Sequence, residues 1–163
     1  LKRYGITVIH DYSEKHPAEI IVAPRILRTE KFLKCFGQAK YIVHPKYIED
    51  ILAVVNDKQP TKVNVENYWL HKIIEAKLVS EALGTPEKQL PEILDVPERG
   101  HVFSGLQINL STKLDGSVEV ISRILKAHQC ASTKEIKSIK NLLKSNNGLC
   151  ILIAHATKDT KLV

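Results

Sequence analysis

The chain has 163 residues, of which 44% are hydrophobic and 26% are charged, and its formal net charge is +6. This length allows one ordinary domain or two small ones, and the composition is that of a globular protein. The positive charge favours an acidic partner, a nucleic acid or a phosphorylated peptide, without choosing between them, and no apolar run approaches the roughly 18 residues that span a bilayer.

The reactive side chains do not form a recognisable catalytic or metal-binding pattern. Three cysteines, Cys35, Cys130 and Cys150, are dispersed, which predicts reduced core thiols in an intracellular protein. The seven histidines lack the paired spacing of a zinc site. The sequence also lacks a nucleophile elbow, a P-loop, a zincin motif and a dinucleotide fingerprint. We therefore predict no metal, no cofactor and no enzymatic activity.

The first part of the chain alternates between strand and helix patterns. Short apolar runs predict three strands, at Ile6–Ile9, Glu19–Ala23 and Lys40–Val43. A helix is expected from about Thr29 to Phe36, and Gly37 would suit a left-handed cap after it. Pro45 opens a further helix. Its apolar positions form a core-facing stripe of Ile48, Ile51, Leu52 and Val55.

The middle of the chain reads as a helix followed by a change of composition. Asn67 to Ser80 predicts a helix that contains Trp69, which we expect to be a buried anchor and not a binding platform. From Leu83 to Gly100 three prolines lie among charged and polar residues, which favours a linker.

After this segment the pattern of strands and helices restarts. Val102–Leu106 begins a strand, and an amphipathic helix from Val118 to His128 follows the start signal Asp115–Ser117. Two more strands are expected, at Lys134–Ile139 and at the apolar run Leu149–Ala154, with a polar loop at Asn141–Gly148 between them. Strands that alternate with helices imply parallel sheets with helices on their faces.

A basic cluster marks the start of the helix at Thr29. Its members recur every third position, at Arg25, Arg28, Lys31 and Lys34. A helix N-terminus is the positive end of the macrodipole and prefers acidic neighbours, so cations gathered there suit a bound anion. Free amides, the dipole and charged donors together make a phosphate site. The same pattern also fits a solvated basic helix face.

Three segments give the chain a resemblance to a tandem BRCT pair. They are Ile20–Leu33 with its Arg-Thr-x-Lys-Phe-Leu helix start, Lys40–Asp50, in which Tyr47 replaces a usual tryptophan, and Asn67–Leu70. The residues look most like the C-terminal pair of the PTIP type and of the fungal DNA-repair scaffolds of the regulator of Ty transposition group. The resemblance is specific in the first half and rests on pattern in the second.

The resemblance implies an α/β fold of two small three-layer units. Each unit would have a short parallel four-stranded sheet flanked by helices, and a helical linker would join the two in tandem. The expected boundaries are 1–58 for the first unit, 59–100 for the linker and 101–163 for the second unit. Both units look incomplete, because the first lacks its first strand and the second lacks its C-terminal part. We expect the natural polypeptide to extend at both ends.

The resemblance also implies which residues bind a phosphopeptide. Lys31 would give its ammonium to the phosphate and Thr29 would shape the helix start, while an upstream Ser or Thr, absent from this sequence, completes the pocket. Arg28 would turn toward the peptide groove, where its fork suits a carboxylate or the peptide backbone; otherwise it forms a surface ion pair with Glu30 or a linker acid. Lys113 and Leu114 are further groove candidates.

Some of these residues and their neighbours also fit a role outside the binding site. The segment Asn109–Asp115, which contains Lys113 and Leu114, also fits an ordinary solvated loop. Arg25 and Lys34 are expected to be solvated charges. Lys158 and Lys161 follow the last strand, but no second Arg-Thr-x-Lys motif accompanies them, so we expect a single phosphate site.

The family implies a phosphoserine- or phosphothreonine-binding module of a nuclear DNA-damage-response scaffold. Its partners would be phosphorylated proteins, with the C-terminal tail of a phosphorylated core histone, histone 2A, as the implied ligand, and other DNA-repair proteins, without a membrane role. The alternatives are direct DNA binding, favoured by the charge of +6, and phosphate-independent docking through apolar patches.

Overall fold

The structure, a computed structural model, describes residues 5–56, 63–96, 99–137 and 150–159. The chain divides into two compact units, which we call unit 1 (Leu1–Arg99) and unit 2 (Gly100–Val163). Each unit contains parallel strands joined through helices, so the predicted α/β class is confirmed. Within the described residues, no helix is long and apolar enough to cross a membrane.

Unit 1 opens with strand, helix, strand and helix. These elements are β1 (Ile20–Val22), α1 (Glu30–Gln38), β2 (Tyr41–Val43) and α2 (Lys46–Asn56). β1 and β2 pair in parallel with Ile21 opposite Ile42. The predicted order is correct here, because β-branched runs fit a pleated strand and Thr29 supplies a helix cap.

The predicted helix from Asn67 to Ser80 is wrong as a single element. The chain instead forms a 3-10 turn and four short helical segments, at Val65–Tyr68, α3 (Leu70–Ile73), α4 (Ala76–Leu83), Glu87–Gln89 and α5 (Leu90–Leu94). Trp69 interrupts the helix because its backbone bridges antiparallel to Val43. The amide of His44 also donates to the carbonyl of Tyr68, 2.9 Å away.

The core of unit 1 includes residues from the segment that composition marks as a linker. Leu90 and Leu94 are each only 1% exposed and pack with the residues of β2 and α1, among them Ile42 and Phe32. Trp69 is 5% exposed, as an anchor should be. Residues of the predicted linker therefore bury apolar surface within unit 1, and the domain boundaries at 58 and 100 stay a prediction.

Three local predictions in unit 1 are wrong. Ile6–Ile9 is not a strand, since none of its described backbone is paired, and Val8 is 52% exposed. Gly37 is not a left-handed cap: it is buried inside α1, which ends at the extended residue Ala39. In α2 the stripe is only half-buried, and Leu52 is 37% exposed. In each case local pattern was overridden by the neighbours available for packing or pairing.

In its described residues, unit 2 forms a three-stranded parallel sheet and one ten-residue helix. Its elements are β3 (Gln107–Ser111), α6 (Val118–Ala127), β4 (Ser132–Ile136) and β5 (Cys150–Ile153), after a 3-10 turn at Arg99–His101 that begins in unit 1. β3 lies in the centre, with Ile108 opposite Thr133 on one side and Ile151 on the other. The predicted order of strand, helix, strand, strand is confirmed.

The sequence misplaces three boundaries of unit 2, and one of them is the start of β4, which lies at Ser132 and not at Lys134. The first strand starts at Gln107 and not at Val102, which is 69% exposed, because Gly105 at a φ of +74° makes a turn first. The segment Asn109–Asp115 is not all loop, since Asn109–Ser111 are buried in β3. The predicted loop Asn141–Gly148 lies outside the described residues.

The described cysteines remain thiols. Cys35 is half-buried in α1 and Cys130 is buried in unit 2. Burial raises the pKa of the Cys35 thiol, although Lys31 and Lys34 act in the opposite direction. The side chain of Cys150 lies outside the described part of the chain.

Candidate functional site

The candidate site begins where α1 starts, after the carboxyl end of β1. Thr29 is the N-cap, with an extended backbone at φ −84° and ψ 149°. Its side-chain oxygen Oγ1 accepts a hydrogen bond of 3.3 Å from the amide of Phe32, and its carbonyl accepts from the amide of Leu33 at 3.0 Å. Since Phe32 is buried in the core, this cap ties the helix start firmly to unit 1.

Lys31 combines an exposed ammonium with the positive end of α1. It lies in the first turn and is solvent-exposed. Among the described residues, neither its ammonium nor its amide has a hydrogen-bond or ion-pair partner. A first-turn amide cannot reach an acceptor inside its own helix. The geometry therefore offers an anion one ammonium and at least one backbone donor at the same place.

The other basic side chains of the cluster differ in whether they contact another side chain of the protein. Lys34 is not the solvated charge that we predicted, because its side chain is only 17% exposed. Its Nζ lies 3.5 Å from Oε1 of Glu30 and 4.3 Å from the ring centroid of Tyr12. Arg25 is exposed, as expected. Lys34 thus offsets the acidic residue of the first turn, and the ammonium of Lys31 remains open to a ligand.

Arg28 is exposed but does not pair with Glu30 in any described contact. Its Nη2 donates a hydrogen bond of 3.1 Å to the carbonyl of Ala82, near the end of α4. A guanidinium has five N–H donors in a planar fork, so one such bond leaves the others available. Arg28, Thr29 and Lys31 all lie at the start of α1, and Arg28 is also hydrogen-bonded to α4.

The two candidates of unit 2 have structural partners. The Nζ of Lys113 donates to the carbonyl of Lys158 at 2.8 Å and lies 3.4 Å from Oδ1 of the fully buried Asp159. Leu114 is half-buried and packs against the unit 2 core. These contacts anchor both residues, and their part in a peptide groove stays a prediction.

Lys158 belongs to a second ion-pair network in unit 2. Its Nζ lies 2.5 Å from Oδ1 of Asp115, and Nε2 of His155 lies 2.9 Å from Oδ2 of the same carboxylate. Hydrogen bonds from Lys158 and His155, together with their charges, lower the pKa of Asp115. Lys158, the described lysine after β5, is therefore paired within the unit, and Lys161 lies outside the described residues.

The sequence did not indicate two groups that contact the predicted site residues. The carbonyl of Ala82 that binds Arg28 lies 54 residues along the chain, and no local pattern predicts that contact. Asp159, the buried partner of Lys113, gives no signal either, because it lies in a short polar run. In the residues that the structure describes, no group of three or more His, Cys, Asp or Glu could hold a metal ion.

Comparison with known proteins defines the class. The two successive parallel α/β units, each matched by its own BRCT-domain family model, make this a tandem BRCT protein. Both models carry the description "Regulator of Ty1 transposition protein 107 BRCT domain", and they match residues 1–80 and 101–163. The chain belongs to this family, which confirms the resemblance seen in the sequence.

Individual relatives agree with this assignment. The chain is 30% identical over 146 residues to regulator of Ty1 transposition protein 107 of Saccharomyces cerevisiae, a match that covers 86% of this chain and 12% of that protein. A crystal structure of Rtt107p matches 98% of this chain with a TM-score of 0.60 and 25% identity, and the chain spans 65% of it.

Two further solved structures show the same fold. A complex of Rtt107p and phosphorylated histone 2A matches 99% of this chain and 67% of that one, at a TM-score of 0.57 and 24% identity. The BRCT5–BRCT6 domains of S. pombe Brc1 match 84% of this chain and 61% of that one, at a TM-score of 0.56 and 18% identity.

Proposed function

We propose that this chain is a phosphopeptide-binding module that recognises phosphoserine or phosphothreonine through Lys31 and the start of α1. The observation that carries the proposal is the exposed ammonium of Lys31 at a capped helix N-terminus, with no partner among the described residues. A phosphate carries about −1.5 to −2 charges at neutral pH, so this combination favours it over a hydroxyl.

The surrounding residues have separate parts in this proposal. Thr29 holds the first turn in the geometry that presents its amides. Arg28 contacts the peptide beyond the phosphate, where its remaining donors suit a carboxylate or main-chain carbonyls. Lys113 and Leu114 remain candidates for peptide contacts in unit 2. No catalytic step is required of any of them.

For the ligand, we propose the phosphorylated C-terminal tail of histone 2A, bound by a nuclear DNA-damage-response scaffold. The support is family membership together with the complex that Rtt107p forms with phosphorylated histone 2A. Since the chain spans 12% of the yeast protein, the scaffold role and other repair partners belong to the proposal.

The decisive experiment titrates a serine peptide in its phosphorylated and unphosphorylated forms against wild type and Lys31→Glu. One charge-assisted hydrogen bond contributes about 1.5–3 kcal/mol, so the variant should bind the phosphopeptide at least roughly tenfold more weakly. Lys46→Glu is the matched control, because Lys46 is an exposed lysine at the first position of α2. It should bind nearly as wild type does.

Two outcomes would contradict the proposal. Equal binding of the two peptides would favour phosphate-independent docking. Alternatively, affinity for DNA that falls steeply with salt and does not depend on sequence would favour the DNA-binding alternative, which the charge of +6 supports. Binding through one phosphate should fall gently with salt and disappear on dephosphorylation.

A further inference from the structure

The first turn of α1 carries an acidic residue where the proposed function places a phosphate. Glu30 is the first residue of α1, between the N-cap Thr29 and Lys31. The positive end of the helix dipole attracts its carboxylate as it attracts a phosphate. A second negative charge at the helix start repels the phosphate, so a phosphate site here requires that the charge of Glu30 be offset.

Lys34 supplies the opposite charge one turn further along α1. Its Nζ lies 3.5 Å from Oε1 of Glu30. Residues four apart lie on the same helix face, and glutamate before lysine is the favourable order. The side chains of Lys34 and Glu30 are 17% and 30% exposed, so water and salt screen this pair less than a fully exposed one. The pair draws the carboxylate of Glu30 along the helix, away from its first amides.

An aromatic ring from outside the helix holds the ammonium of Lys34. Nζ lies 4.3 Å from the ring centroid of Tyr12, which is within the range of a cation–π contact. Tyr12 is itself fastened to α1, because its hydroxyl accepts a hydrogen bond of 3.0 Å from Nε2 of Gln38. A lysine placed between this ring and Glu30 loses less conformational entropy in the ion pair than a free side chain would.

We propose that Lys34, held by Tyr12, is a positioning residue for phosphopeptide binding, which pairs with Glu30 so that Lys31 and the first-turn amides meet the phosphate without an opposing charge. This inference rests on the proposed function for its ligand, whereas the arrangement of Tyr12, Lys34 and Glu30 belongs to the free protein. Lys34 acts through Glu30 and not by attracting the phosphate itself.

The first measurement tests the arrangement in the free chain by proton NMR. The ε-methylene signal of Lys34, assigned by its loss in Lys34→Gln, should be shifted to low frequency by the ring current of Tyr12. Tyr12→Phe keeps the ring and should keep the shift, whereas Tyr12→Leu should return the signal to the position of an exposed lysine. An unshifted signal in wild type would overturn the inference, whatever ligand the chain binds.

The second measurement is a double-mutant cycle on the affinity for a phosphoserine peptide. Lys34→Gln should weaken binding by roughly three- to fivefold, because the released carboxylate of Glu30 repels the phosphate through partly screening solvent. Glu30→Gln alone should change the affinity by less than about twofold, since Lys34 already offsets that charge. The double variant Glu30→Gln/Lys34→Gln should bind within about twofold of wild type.

Further variants separate this role from a general effect of positive charge. Tyr12→Leu should weaken phosphopeptide binding by about twofold in wild type and have no effect once Glu30 is replaced by glutamine, whereas Tyr12→Phe should bind as wild type does. Arg25→Gln is the matched control, because it removes an exposed cation of the same basic cluster. Its effect should be the same whether or not Glu30 is present.

The outcomes distinguish the two proposals. Equal binding of the phosphorylated and unphosphorylated peptides by wild type contradicts the proposed function, and the inference falls with it. Phosphate-dependent binding in wild type, together with a Lys34→Gln loss that is equally large in the Glu30→Gln background, contradicts the inference alone. Lys34 would then attract the phosphate directly, and its pairing with Glu30 would have no part in binding.

Discussion

The guanidinium of Arg99 donates a hydrogen bond of 2.7 Å to the carbonyl of Leu94, the last residue of α5. Arg99 is 7% exposed and donates to four more carbonyls, those of Phe36, Ala39, Lys40 and Val96. Burial lowers the pKa of Arg99 to about 10, so it remains charged at neutral pH. Arg99 thus joins the C-terminal end of α1 to α5. The candidate site lies at the other end of α1, where the helix starts.

We predict that Arg99→Lys destabilises unit 1 by about 3 kcal/mol or more, since an ammonium cannot span five acceptors and buried carbonyls lose their donor. Urea unfolding followed by the fluorescence of Trp69, the chain's single tryptophan, measures this in unit 1. Arg25→Lys is the control, because Arg25 is exposed. Equal unfolding midpoints for the two variants would contradict the prediction.

We predict that Thr29→Ala destabilises unit 1 by about 1 kcal/mol, the usual effect of losing an N-cap hydroxyl. The variant should also bind the phosphopeptide more weakly, because the amides of the first turn are no longer held by the bond to Phe32. Thr29→Ser keeps the oxygen and should restore both properties. Calorimetric titration measures the binding effect, and unfolding followed by Trp69 fluorescence measures the stability effect. A Thr29→Ser variant that is as unstable as Thr29→Ala and binds the peptide as weakly would argue against capping.

We predict that unit 1 loses stability on acidification through the ordinary pKa of histidine, about 6.5. Burial lowers the pKa of His71, against the opposing effect of Asp95, whose Oδ1 lies 3.7 Å from Nε2. As the pH is lowered, the unfolded chain therefore takes up this proton before the folded chain does. The free energy of unfolding of unit 1 consequently decreases as the pH decreases. His71→Gln should flatten the dependence of the Trp69 transition between about pH 7 and 5.5. An unchanged slope would exclude His71 as its source.

We predict that unit 2 loses stability in a lower pH range, from about 5 to 3. Lys158 and His155 lower the pKa of Asp115, so the folded state keeps this carboxylate charged after the unfolded state has taken up a proton. That contribution is present above the ordinary pKa of Asp and disappears as pH falls through the lowered value. Hydrogen exchange of the β3 amides reports it.

The variant Asp115→Asn tests this assignment. It should weaken the acid dependence of β3 exchange, whereas Glu135→Gln, at an exposed acid of β4 in the same unit, should leave it intact. If both variants behave alike, the acid dependence does not come from the Asp115 pairs.

Features that depend on neighbouring residues were predicted well from sequence. Thr29 and Ser117 were expected to start helices, and both side chains accept from an amide three residues ahead. A hydroxyl cap acts within one turn, so its signal is local. The apolar run that contains β5 was likewise predicted as a strand of a parallel sheet, although β5 lies at the edge of the described sheet and Ile151–Ile153 are only half-buried.

Features that depend on distant partners could not be predicted. Trp69 continues a helical pattern, yet its bridge to Val43 interrupts the helix. Arg28 binds Ala82, and Lys113 lies beside Asp159, each across more than forty residues of sequence. Polar and charged side chains of these types occur throughout the surface, so only tertiary structure identifies the partner. The phosphate role of Lys31 and Thr29 stays a prediction.

The central place of β3 has a consequence for synthesis of the chain. Ile108 pairs with Thr133 and with Ile151, so one edge of β3 finds its neighbour long before the other. At about 5–20 residues per second, the ribosome adds the residues between β4 and β5 within roughly a second to a few seconds. During that time an apolar strand edge lacks its partner and is open to other chains. Nascent unit 2 therefore exposes an unpaired strand edge to which a chaperone can bind.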